Sequence, residues 1–333
     1  MADQRFVVVR LGSLGDIVHT FPAVAALRAS FPTAQIVWLT HPRWEHLVAS
    51  SGIASQIWRV DSRDLRSVRE IIGKLRKRSW DAAVDYQGLW KSALLPFLAR
   101  VTTRIGFSSA TIREFGVPIL YTDSVVCRAL HIAEQNGELS LRAGAKQPVA
   151  PFVLQVDDAD AQRVRSDLAA QACTRYVVLS PGGGWRAKCW PASRFGALCS
   201  RIHKEIGIRC VVNYGPGETA LAHEVQAACG DCQPVAYDGE MGTLKALLQG
   251  AQCIVGGDTG PLHLAVALGT PAVALFGPTD PARNGPYPPG ELVLRSPKAL
   301  TTYGRSNETD PSLLDLSVES VFTAVKQRLG ITL

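Results

Sequence analysis

The sequence predicts an α/β protein built from two Rossmann-like domains, and three observations support this prediction. The chain has 333 residues, which is too long for one ordinary domain and suits two. Hydrophobic residues make up 47% and charged residues 19%, so the apolar surface is large enough for two cores. Apolar runs alternate with helical patterns in both halves, which is typical of parallel sheets covered by helices.

Seven apolar runs are predicted to be strands. They are VVV at 7–9, IVWL at 36–39, AAV at 82–84, YVVL at 176–179, RCVVN at 209–213, QCIVG at 252–256 and AVALFG at 272–277. Amphipathic patterns predict helices over 17–29 and from Leu313 to Leu329. The acidic cluster Asp157, Asp158 and Asp160 fits a metal site or a helix cap, and capping of another helix is favoured because carboxylates favour a helix N-terminus.

A segment rich in Gly and Pro between 140 and 172 predicts the domain boundary. We therefore expect a first domain over 1–160 and a second over 161–312. The sequence leaves open whether the C-terminal segment, 313–333, packs back on the first domain.

The net charge of +6 is unevenly distributed. Residues 1–150 hold 19 Lys/Arg and 12 Asp/Glu, whereas residues 151–333 hold 16 and 17. A basic first half predicts an anionic partner such as a phosphate, an acidic sugar, nucleic acid or a membrane surface. Nucleic acid is disfavoured because no known binding motif is present. Residues 64–80 combine an apolar stripe with six basic residues, which fits either a core-packed helix or a helix that docks on an anionic membrane.

The chain is expected to be cytoplasmic. No apolar run reaches the roughly 20 residues of a membrane span, and no signal-peptide pattern precedes the first strand. The eight cysteines lie mostly in apolar runs, which predicts buried, reduced thiols. Cys229 and Cys232 form a CxxC without a second ligand pair at suitable spacing, so no zinc site is predicted.

The segment RLGSLGDIVHTFP, residues 10–22, joins the first strand to a helix predicted to begin near Asp16. Its glycines allow a tight turn whose amides can hold an anion or a sugar. The spacing differs from GxGxxG, which disfavours a dinucleotide site. Asp16 fits a helix N-cap or, because open α/β sheets bind ligands at the carboxyl ends of strands, a general base. His19 lies one turn later and either lines the same site or packs.

The segment DYQGLWKSA, residues 85–93, follows the strand at 82–84. Asp85, Gln87 and Lys91 are expected to project from a loop and from the first turn of a helix. Capping and contact with an acceptor substrate are both compatible with these residues.

The segment SPGGGWRAKCWP, residues 180–191, follows the strand at 176–179. Three glycines leave room for a phosphate, and Lys188 can reach the same space and stabilise a diphosphate leaving group. The Walker sequence is absent, and an ordinary surface lysine is the alternative. Glu218, in the loop NYGPGE, is predicted to accept hydrogen bonds from sugar hydroxyls.

The segment VGGDTGPLH, residues 255–263, joins a strand to a helix. The amides of Thr259 and Gly260 are predicted to point at a phosphate, assisted by the helix dipole. Asp258 precedes them. His263 is expected to face the same way, although a core position is the ordinary interpretation of such a histidine.

The motifs LGSLGDIVHTFPA, DYQGLWKSA, PGGGWRAKCWP, GGDTGPLHLAVALGTP and FGPTDP, in this order, resemble those of glycosyltransferase family nine, the ADP-heptose:lipopolysaccharide heptosyltransferases. The resemblance covers nearly the whole chain. The segments GDIVHTFP, QGLWKSAL and IREFGVPILY…HIAEQN look most like the heptosyltransferase I branch, which adds the first heptose to the Kdo of lipid A–Kdo.

The resemblance implies a GT-B fold, in which two Rossmann-like domains face each other across a cleft and the second holds most of the donor. It implies an inverting transfer from ADP-heptose that needs neither a metal nor another cofactor. The acceptor it implies is an anionic glycolipid, with peripheral contact to the inner membrane.

The resemblance also assigns roles to residues. Asp16 matches the family's proposed base, and Lys188 matches its phosphate-binding lysine. The implied donor-binding set is Gly183, Gly184, Lys188, Glu218, Met241, Asp258, Thr259, Gly260 and His263. The implied acceptor-binding set is Gly15, Asp16, His19, Arg63, Arg66, Gln87, Lys91 and Arg113.

The sequence departs from the heptosyltransferase I pattern in three places. Gly183 and Gly184 stand where that pattern often has Thr, which removes hydroxyl contacts to phosphate. Phe115 stands where it has Pro, and the basic acceptor cluster is reduced to Arg63 and Arg66. Three other functions stay open: a transferase with another donor or acceptor, a nucleotide-sugar epimerase of the same fold, and a non-catalytic nucleotide-sugar-binding protein.

Overall fold

The computed structural model describes residues 4–112, 114–302, 304 and 306–331. The chain divides into two compact units, Met1–Gln155 and Val156–Leu333, close to the boundary expected at residue 160. Each unit contains a six-stranded parallel sheet with helices in its connections. The predicted α/β class with two Rossmann-like domains is therefore confirmed.

The sheet of the first unit has the strand order β3-β2-β1-β4-β5-β6. Its strands are β1 Arg5–Val9, β2 Gln35–Thr40, β3 Gln56–Arg59, β4 Ala82–Asp85, β5 Arg104–Phe107 and β6 Asp123–Val125. Its helices are α1 Leu14–Val18, α2 Phe21–Ser30, α3 Glu45–Ala49, α4 Leu65–Arg76, α5 Trp90–Leu98 and α6 Ile132–Arg142, with 3₁₀ turns at Pro42–Trp44 and Val117–Leu120.

The sheet of the second unit has the order β12-β11-β10-β7-β8-β9. Its strands are β7 Tyr176–Ser180, β8 Arg209–Tyr214, β9 Val235–Asp238, β10 Cys253–Gly257, β11 Ala272–Phe276 and β12 Leu292–Arg295. Its helices are α7 Asp158–Ala169, α8 Ala192–Arg201, α9 Thr219–Ala227, α10 Met241–Gln249, α11 Gly260–Ala267, α12 Pro281–Asn284, α13 Pro311–Leu314 and α14 Val318–Arg328, with a 3₁₀ turn at Arg186–Lys188 and a π-helical turn at Ile202–Ile206.

Alternate residues of the central strands point to the same face of each sheet and pack in a buried cluster there. In the first unit, Val7 and Val9 of β1 pack in a cluster with Ile71 and Leu75 of α4, all of them fully or almost fully buried. Burying a side chain of this size contributes about 1.5–3 kcal/mol. These contacts fix the central strands, and the strands in turn fix the loops at their carboxyl ends.

The helix predicted over 17–29 is two helices, which is a correction to the sequence analysis. The first, α1, already begins at Leu14, with Ser13 at its N-cap. The chain then breaks at His19 and Thr20, and α2 starts with Pro22 in its first turn. Proline lacks the amide that a continuous helix would need at that position, so the break follows from the sequence.

The C-terminal helix packs in the second unit, although the sequence left open that 313–333 packs back on the first domain. Val321, Phe322 and Val325 of α14 are buried in the core that β7 and α8 share. Arg328 donates from Nε to the carbonyl of Ala272 in β11 at 3.2 Å. A helix with one apolar face covers the nearest open sheet surface, and here the sheet is that of its own unit.

The helix predicted within 64–80 is α4, and its apolar stripe packs mainly against the core. Ile71 and Leu75 are buried, whereas Leu65 is 71% exposed. The core-packed interpretation is therefore confirmed for most of the stripe. None of the helices in the described ranges is long and apolar enough to cross a membrane.

All eight cysteines are free thiols, and seven of them are buried. Burial raises the pKa of the Cys253 thiol to about 12. The prediction of buried thiols is confirmed for these seven.

Candidate active site

The strand order of each sheet reverses at one place, and open α/β sheets bind ligands outside the carboxyl ends of strands at such a point. In the first unit the reversal lies between β1 and β4, and in the second between β7 and β10. The loops that follow these four strands carry most of the residues singled out from the sequence. We describe them as two groups, the first-unit cluster (Arg10, Asp16, His19, Gln87) and the second-unit cluster (Gly183, Lys188, Glu218, Asp258, Thr259, His263).

Asp16 lies on the first turn of α1, directly after the loop that follows β1. The amide and the hydroxyl of Ser13 both donate to its Oδ2, at 3.1 and 3.0 Å. Gly12 makes this turn possible, because its φ is +153° and a Cβ there would lie 2.7 Å from Nε1 of Trp44. Ser13 is therefore the N-cap, where the simpler interpretation of the sequence expected Asp16, and Asp16 is the third helical residue of the same capping arrangement.

Arg10 is the buried partner of Asp16. Its Nη2 lies 2.8 Å from Oδ1 of Asp16, and its Nη1 donates to the carbonyl of Tyr86 after β4. Burial of the Asp16 carboxyl disfavours its charge, but Arg10 and the Ser13 hydrogen bonds outweigh that effect and hold its pKa below the usual value. Asp16 is thus kept ionised, and an ionised carboxylate is the form that accepts a proton.

Gln87 joins the loops after β4 and β1. Its side-chain Oε1 accepts from the backbone amide of Leu11 at 2.7 Å, and its backbone amide donates to Oδ1 of Asp85 at 2.9 Å. The Gln87 side chain is half-buried. It holds the strand-to-helix turn that carries Asp16.

Asp85 is buried beneath this turn instead of projecting from a loop as expected. The hydroxyls of Tyr121 and Ser92 donate to its Oδ2 at 2.7 and 2.8 Å. Burial raises the pKa of Asp85 even though these donors favour its charged form. Tyr121 can approach because Gly106 leaves room, since a Cβ at Gly106 would lie 2.3 Å from the Tyr121 ring.

Some predicted acceptor residues lie with this cluster and others do not. His19 is buried, with its ring centroid 5.3 Å from that of His131, and Gly15 accepts from the His19 amide at 2.9 Å. Lys91 is exposed on the first turn of α5.

The remaining predicted acceptor residues are the three arginines. Arg63 and Arg66 are exposed after the edge strand β3, two strands from β1 in the sheet. Arg113 lies outside the described residues.

Lys188, Asp258 and His263 meet at the reversal of the second sheet. Nζ of Lys188 lies 2.5 Å from Oδ2 of Asp258, and Nε2 of His263 lies 2.9 Å from Oδ1. Asp258 and His263 are buried, and the Lys188 side chain is 18% exposed. Nζ of Lys188 also lies 4.6 Å from the centroid of the Trp185 ring. Lys188 is therefore held by specific contacts, and the interpretation as an ordinary surface lysine is wrong.

The two partners of Asp258 hold its pKa well below the usual value, although burial alone raises it. The hydrogen bond to His263 and the charge of Lys188 provide the compensation. A second anion near Lys188 would then be attracted by a cation that Asp258 already orients. Because His263 is buried but bonded to Asp258, it is both a packed residue and part of the cluster.

The glycine loop after β7 allows close approach between neighbouring loops. A Cβ at Gly183 would lie 2.7 Å from Cγ2 of Thr259, and a Cβ at Gly182 would lie 2.3 Å from a carboxylate oxygen of Glu218. At Gly184, by contrast, a Cβ would meet open space. Gly183 is therefore needed for packing, and only Gly184 leaves the open space predicted for a phosphate.

One backbone amide that was predicted to bind a phosphate already makes a hydrogen bond within the protein. The Thr259 amide donates to the carbonyl of Gly257 at 2.7 Å, so the expectation that it points at a phosphate is wrong. The tight turn after β10 brings these two groups together. Gly260 is the first residue of α11, where an amide has no partner within its own helix.

Glu218, a member of the second-unit cluster, and Met241 lie on loops further along the same sheet edge. Glu218 follows β8 at the N-cap of α9, and its Oε2 accepts from the Gly215 amide at 2.8 Å. Met241 is the first, half-buried residue of α10 after β9. The order β10-β7-β8-β9 therefore places all the predicted donor loops side by side.

Sequence reasoning missed Arg10 and Trp185, although both lie inside the quoted motifs. The sequence does place Arg10 directly after an apolar strand, and a charge buried at such a position requires a partner of opposite charge or a hydrogen-bond acceptor. The tryptophan next to the glycine run was the corresponding sign for Trp185. Chemically, the first-unit cluster offers an ionised carboxylate, and the second-unit cluster offers a cation beside a helix N-terminus, which suits a phosphate.

Comparison with known proteins decides the family. Residues 68–309 match the family model described as glycosyltransferase family 9 (heptosyltransferase). The chain belongs to this family. It is therefore a glycosyltransferase, as the motifs predicted.

Individual relatives of this family resemble the chain over nearly its whole length. Lipopolysaccharide heptosyltransferase 1 of Pseudomonas aeruginosa is 29% identical over 336 residues, which cover 95% of this chain and 92% of the relative. The solved structure of Escherichia coli heptosyltransferase WaaC with ADP is 25% identical, has a TM-score of 0.76, and covers 98% of this chain and 100% of its own. The same enzyme with ADP-2-deoxy-2-fluoro heptose gives 25% identity, a TM-score of 0.73, and coverage of 97% and 99%. These glycosyltransferase structures confirm the GT-B fold class.

Proposed function

We propose that this family 9 glycosyltransferase moves heptose from ADP-heptose to a Kdo-type acceptor of the lipopolysaccharide inner core, by an inverting reaction that needs no metal. The arrangement of Lys188, Asp258 and His263 carries this proposal, since it provides an oriented cation where a diphosphate would have to leave. A relative named lipopolysaccharide heptosyltransferase 1 and structures of WaaC with ADP and with an ADP-heptose analogue support the donor.

The acceptor hydroxyl is activated by Asp16. Arg10 and Ser13 keep this carboxylate ionised, and a sugar hydroxyl within hydrogen-bond reach would give it a proton as the oxygen attacks the anomeric carbon. The exposed Arg63 and Arg66, together with Lys91 and Arg113, are assigned to the anionic groups of the acceptor. Gly15, His19 and Gln87 complete that side by shaping and holding the turn.

The departing ADP is stabilised by Lys188 and by the Gly260 amide at the start of α11. A cation and a helix N-terminus together supply the positive charge that a divalent metal supplies in other transferases. Gly184 leaves space for the phosphates, and Glu218 and Met241 are assigned to the ribose or sugar hydroxyls and to the adenine. Both site carboxylates, Asp16 and Asp258, already pair with a basic side chain, which supports a reaction without a metal.

A transfer assay tests the proposal. The purified protein is incubated with Kdo-lipid A and, in parallel, with ADP-heptose, a UDP-sugar or a GDP-sugar, and the glycolipid product is identified by mass spectrometry. We expect transfer from ADP-heptose alone, with ADP raising the melting temperature more than UDP or GDP does. Transfer from a UDP-sugar, or conversion of the nucleotide sugar without any acceptor, would contradict the proposal.

A further inference from the structure

The first unit exposes large apolar side chains in the connections that follow β4, β5 and β6. We call this set the apolar rim, and its members are Trp90, Phe115, Ile119, Val126 and Leu130. Phe115 is 98% exposed and Ile119 is 78% exposed, whereas large apolar side chains of this kind are usually buried. An exposed apolar patch of this kind marks an interaction site.

The rim borders the first-unit cluster. Trp90 starts α5, immediately after the loop that carries Gln87, and the strands β4, β5 and β6 are neighbours in the sheet. Leu130 precedes His131, whose ring lies 5.3 Å from that of His19. Whatever covers the rim therefore lies beside the turn that holds Asp16.

The rim is held in its exposed arrangement by specific contacts. The Trp90 amide donates to Oε2 of Glu114 at 2.7 Å, which ties the loop after β5 to the start of α5. Gly116 has a φ of +83°, and a Cβ there would lie 3.1 Å from the Trp90 ring. Phe115 lies between these two anchored residues, so its exposure is built into the loop.

Charge favours an anionic membrane as the partner. Lys91 and Arg128 are exposed next to Trp90 and near Leu130, and residues 86–142, which contain the rim, have six basic against four acidic residues. Aromatic and aliphatic side chains flanked by basic residues bind bilayer surfaces, since the apolar groups enter the acyl boundary and the cations meet anionic headgroups.

We propose that the apolar rim docks the first unit on an anionic bilayer, with Phe115 and Ile119 entering the acyl boundary. This rests on the proposed function, because a glycolipid acceptor is itself anchored in a bilayer. The rim replaces α4 as the docking surface. Ile71 and Leu75 of α4 are buried in the core, which leaves Leu65 as its exposed large apolar residue.

Vesicle flotation of the full-length protein tests the docking surface. The vesicles contain phosphatidylcholine with or without phosphatidylglycerol, and the variant carries Phe115→Ser and Ile119→Ser. We expect the wild type to prefer the anionic vesicles and the variant to lose about tenfold or more in partition coefficient, since two large side chains no longer leave water. Leu65→Ser and Leu300→Ser remove residues that are 71% and 82% exposed elsewhere, and both should partition like the wild type.

Three results would overturn the proposal: no binding of the wild type to anionic vesicles, equal partitioning of the double variant and the wild type, or a larger loss for Leu65→Ser. The melting temperature and its shift with ADP confirm that each variant is folded. Heptose transfer to a soluble, deacylated acceptor is measured in parallel. Transfer without vesicle binding would remove the docking proposal and leave the function, whereas rim-dependent vesicle binding without transfer would do the reverse.

Discussion

The guanidinium of Arg10 lies 2.8 Å from the carboxylate of Asp16, and its other terminal nitrogen donates to the carbonyl of Tyr86. The side chain thus connects the ends of the two central strands of the first sheet and holds the proposed base in its ionised form. Arg10 acts on the reaction through Asp16, which makes it a positioning residue.

Substituting Arg10 by Gln should move the acid limb of kcat/KM to higher pH. Without the positive charge of the guanidinium the pKa of Asp16 rises, so the proposed base is protonated at a pH where the wild-type carboxylate is still charged. Arg10→Lys keeps a positive charge, so its acid limb should lie between those of Arg10→Gln and the wild type. Arg28→Gln is the control, because Arg28 donates to backbone carbonyls and to the Ser55 hydroxyl. An unchanged acid limb in Arg10→Gln would show that Arg10 does not set the charge of the base.

Removing the Lys188 amine should weaken donor binding and turnover together. A charged hydrogen bond contributes about 1.5–3 kcal/mol, so Lys188→Ala should raise the Kd for ADP about 10- to 150-fold in calorimetry. Turnover falls as well, because negative charge builds up on the diphosphate as it leaves, so the ammonium stabilises the transition state more than the bound donor. Lys204→Ala, an exposed lysine in the same unit, should leave the Kd unchanged. Wild-type ADP affinity in Lys188→Ala would contradict its assignment to the diphosphate.

The central strands were predictable from the sequence, and the outer strands were not. The seven predicted strands are β1, β2, β4, β7, β8, β10 and β11, which are apolar and mostly buried. Four of the missed strands, β3, β6, β9 and β12, form the sheet edges, and their residues are largely half-buried or exposed. A half-exposed edge strand carries a weak hydrophobic pattern, so periodicity does not separate it from a loop.

The candidate site was predictable as a set of loops but less so as a set of contacts. Glycines and a carboxylate after β1, and glycines and a lysine after β7, were visible because the motifs are local. The hydrogen bond from Tyr121 to Asp85 joins residues 36 positions apart, and the ion pair of Lys188 with Asp258 joins residues 70 apart. Local patterns carry no information on such pairs, which is why Asp85 was expected at the surface.

The Tyr121 hydroxyl should contribute measurably to folding. Tyr121→Phe leaves the buried Asp85 carboxylate short of one donor, which should lower the free energy of unfolding by about 1–3 kcal/mol in urea titrations.

The free energy of unfolding lost in Tyr121→Phe should increase with pH. The folded-state pKa of Asp85 is already raised by burial, so stability falls as the pH rises from the unfolded pKa through the folded one. Losing a donor that favours the charged form raises the folded pKa further and extends this loss to higher pH. Tyr86→Phe is the comparison, since the Tyr86 hydroxyl bonds the neutral Ser140 hydroxyl at 2.7 Å. A cost independent of pH would exclude a charged Asp85 as the partner.

Chelation should leave the reaction intact. Because the proposed function assigns the positive charge for the leaving ADP to Lys188 and the α11 N-terminus, the initial rate in EDTA should stay within about twofold of the rate with added Mg²⁺. The measurement is the rate of ADP release under both conditions. A strict requirement for Mg²⁺ or Mn²⁺ would assign the stabilising charge to a metal.

The most direct test of the account is the transfer rate of Asp16→Asn, measured together with its affinity for ADP. Asn keeps the size of Asp and can still cap α1, but it accepts no proton at neutral pH, so transfer should fall about 10²- to 10⁴-fold. ADP affinity should stay at the wild-type value, since the diphosphate groups are assigned to loops of the second unit. Asp81→Asn changes a carboxylate that accepts from the Arg5 amide at 2.7 Å, so it serves as the matched control and should retain full transfer. A variant Asp16→Asn that keeps its turnover number but loses ADP affinity would contradict the account, because Asp16 would then bind the donor and another group would be the base.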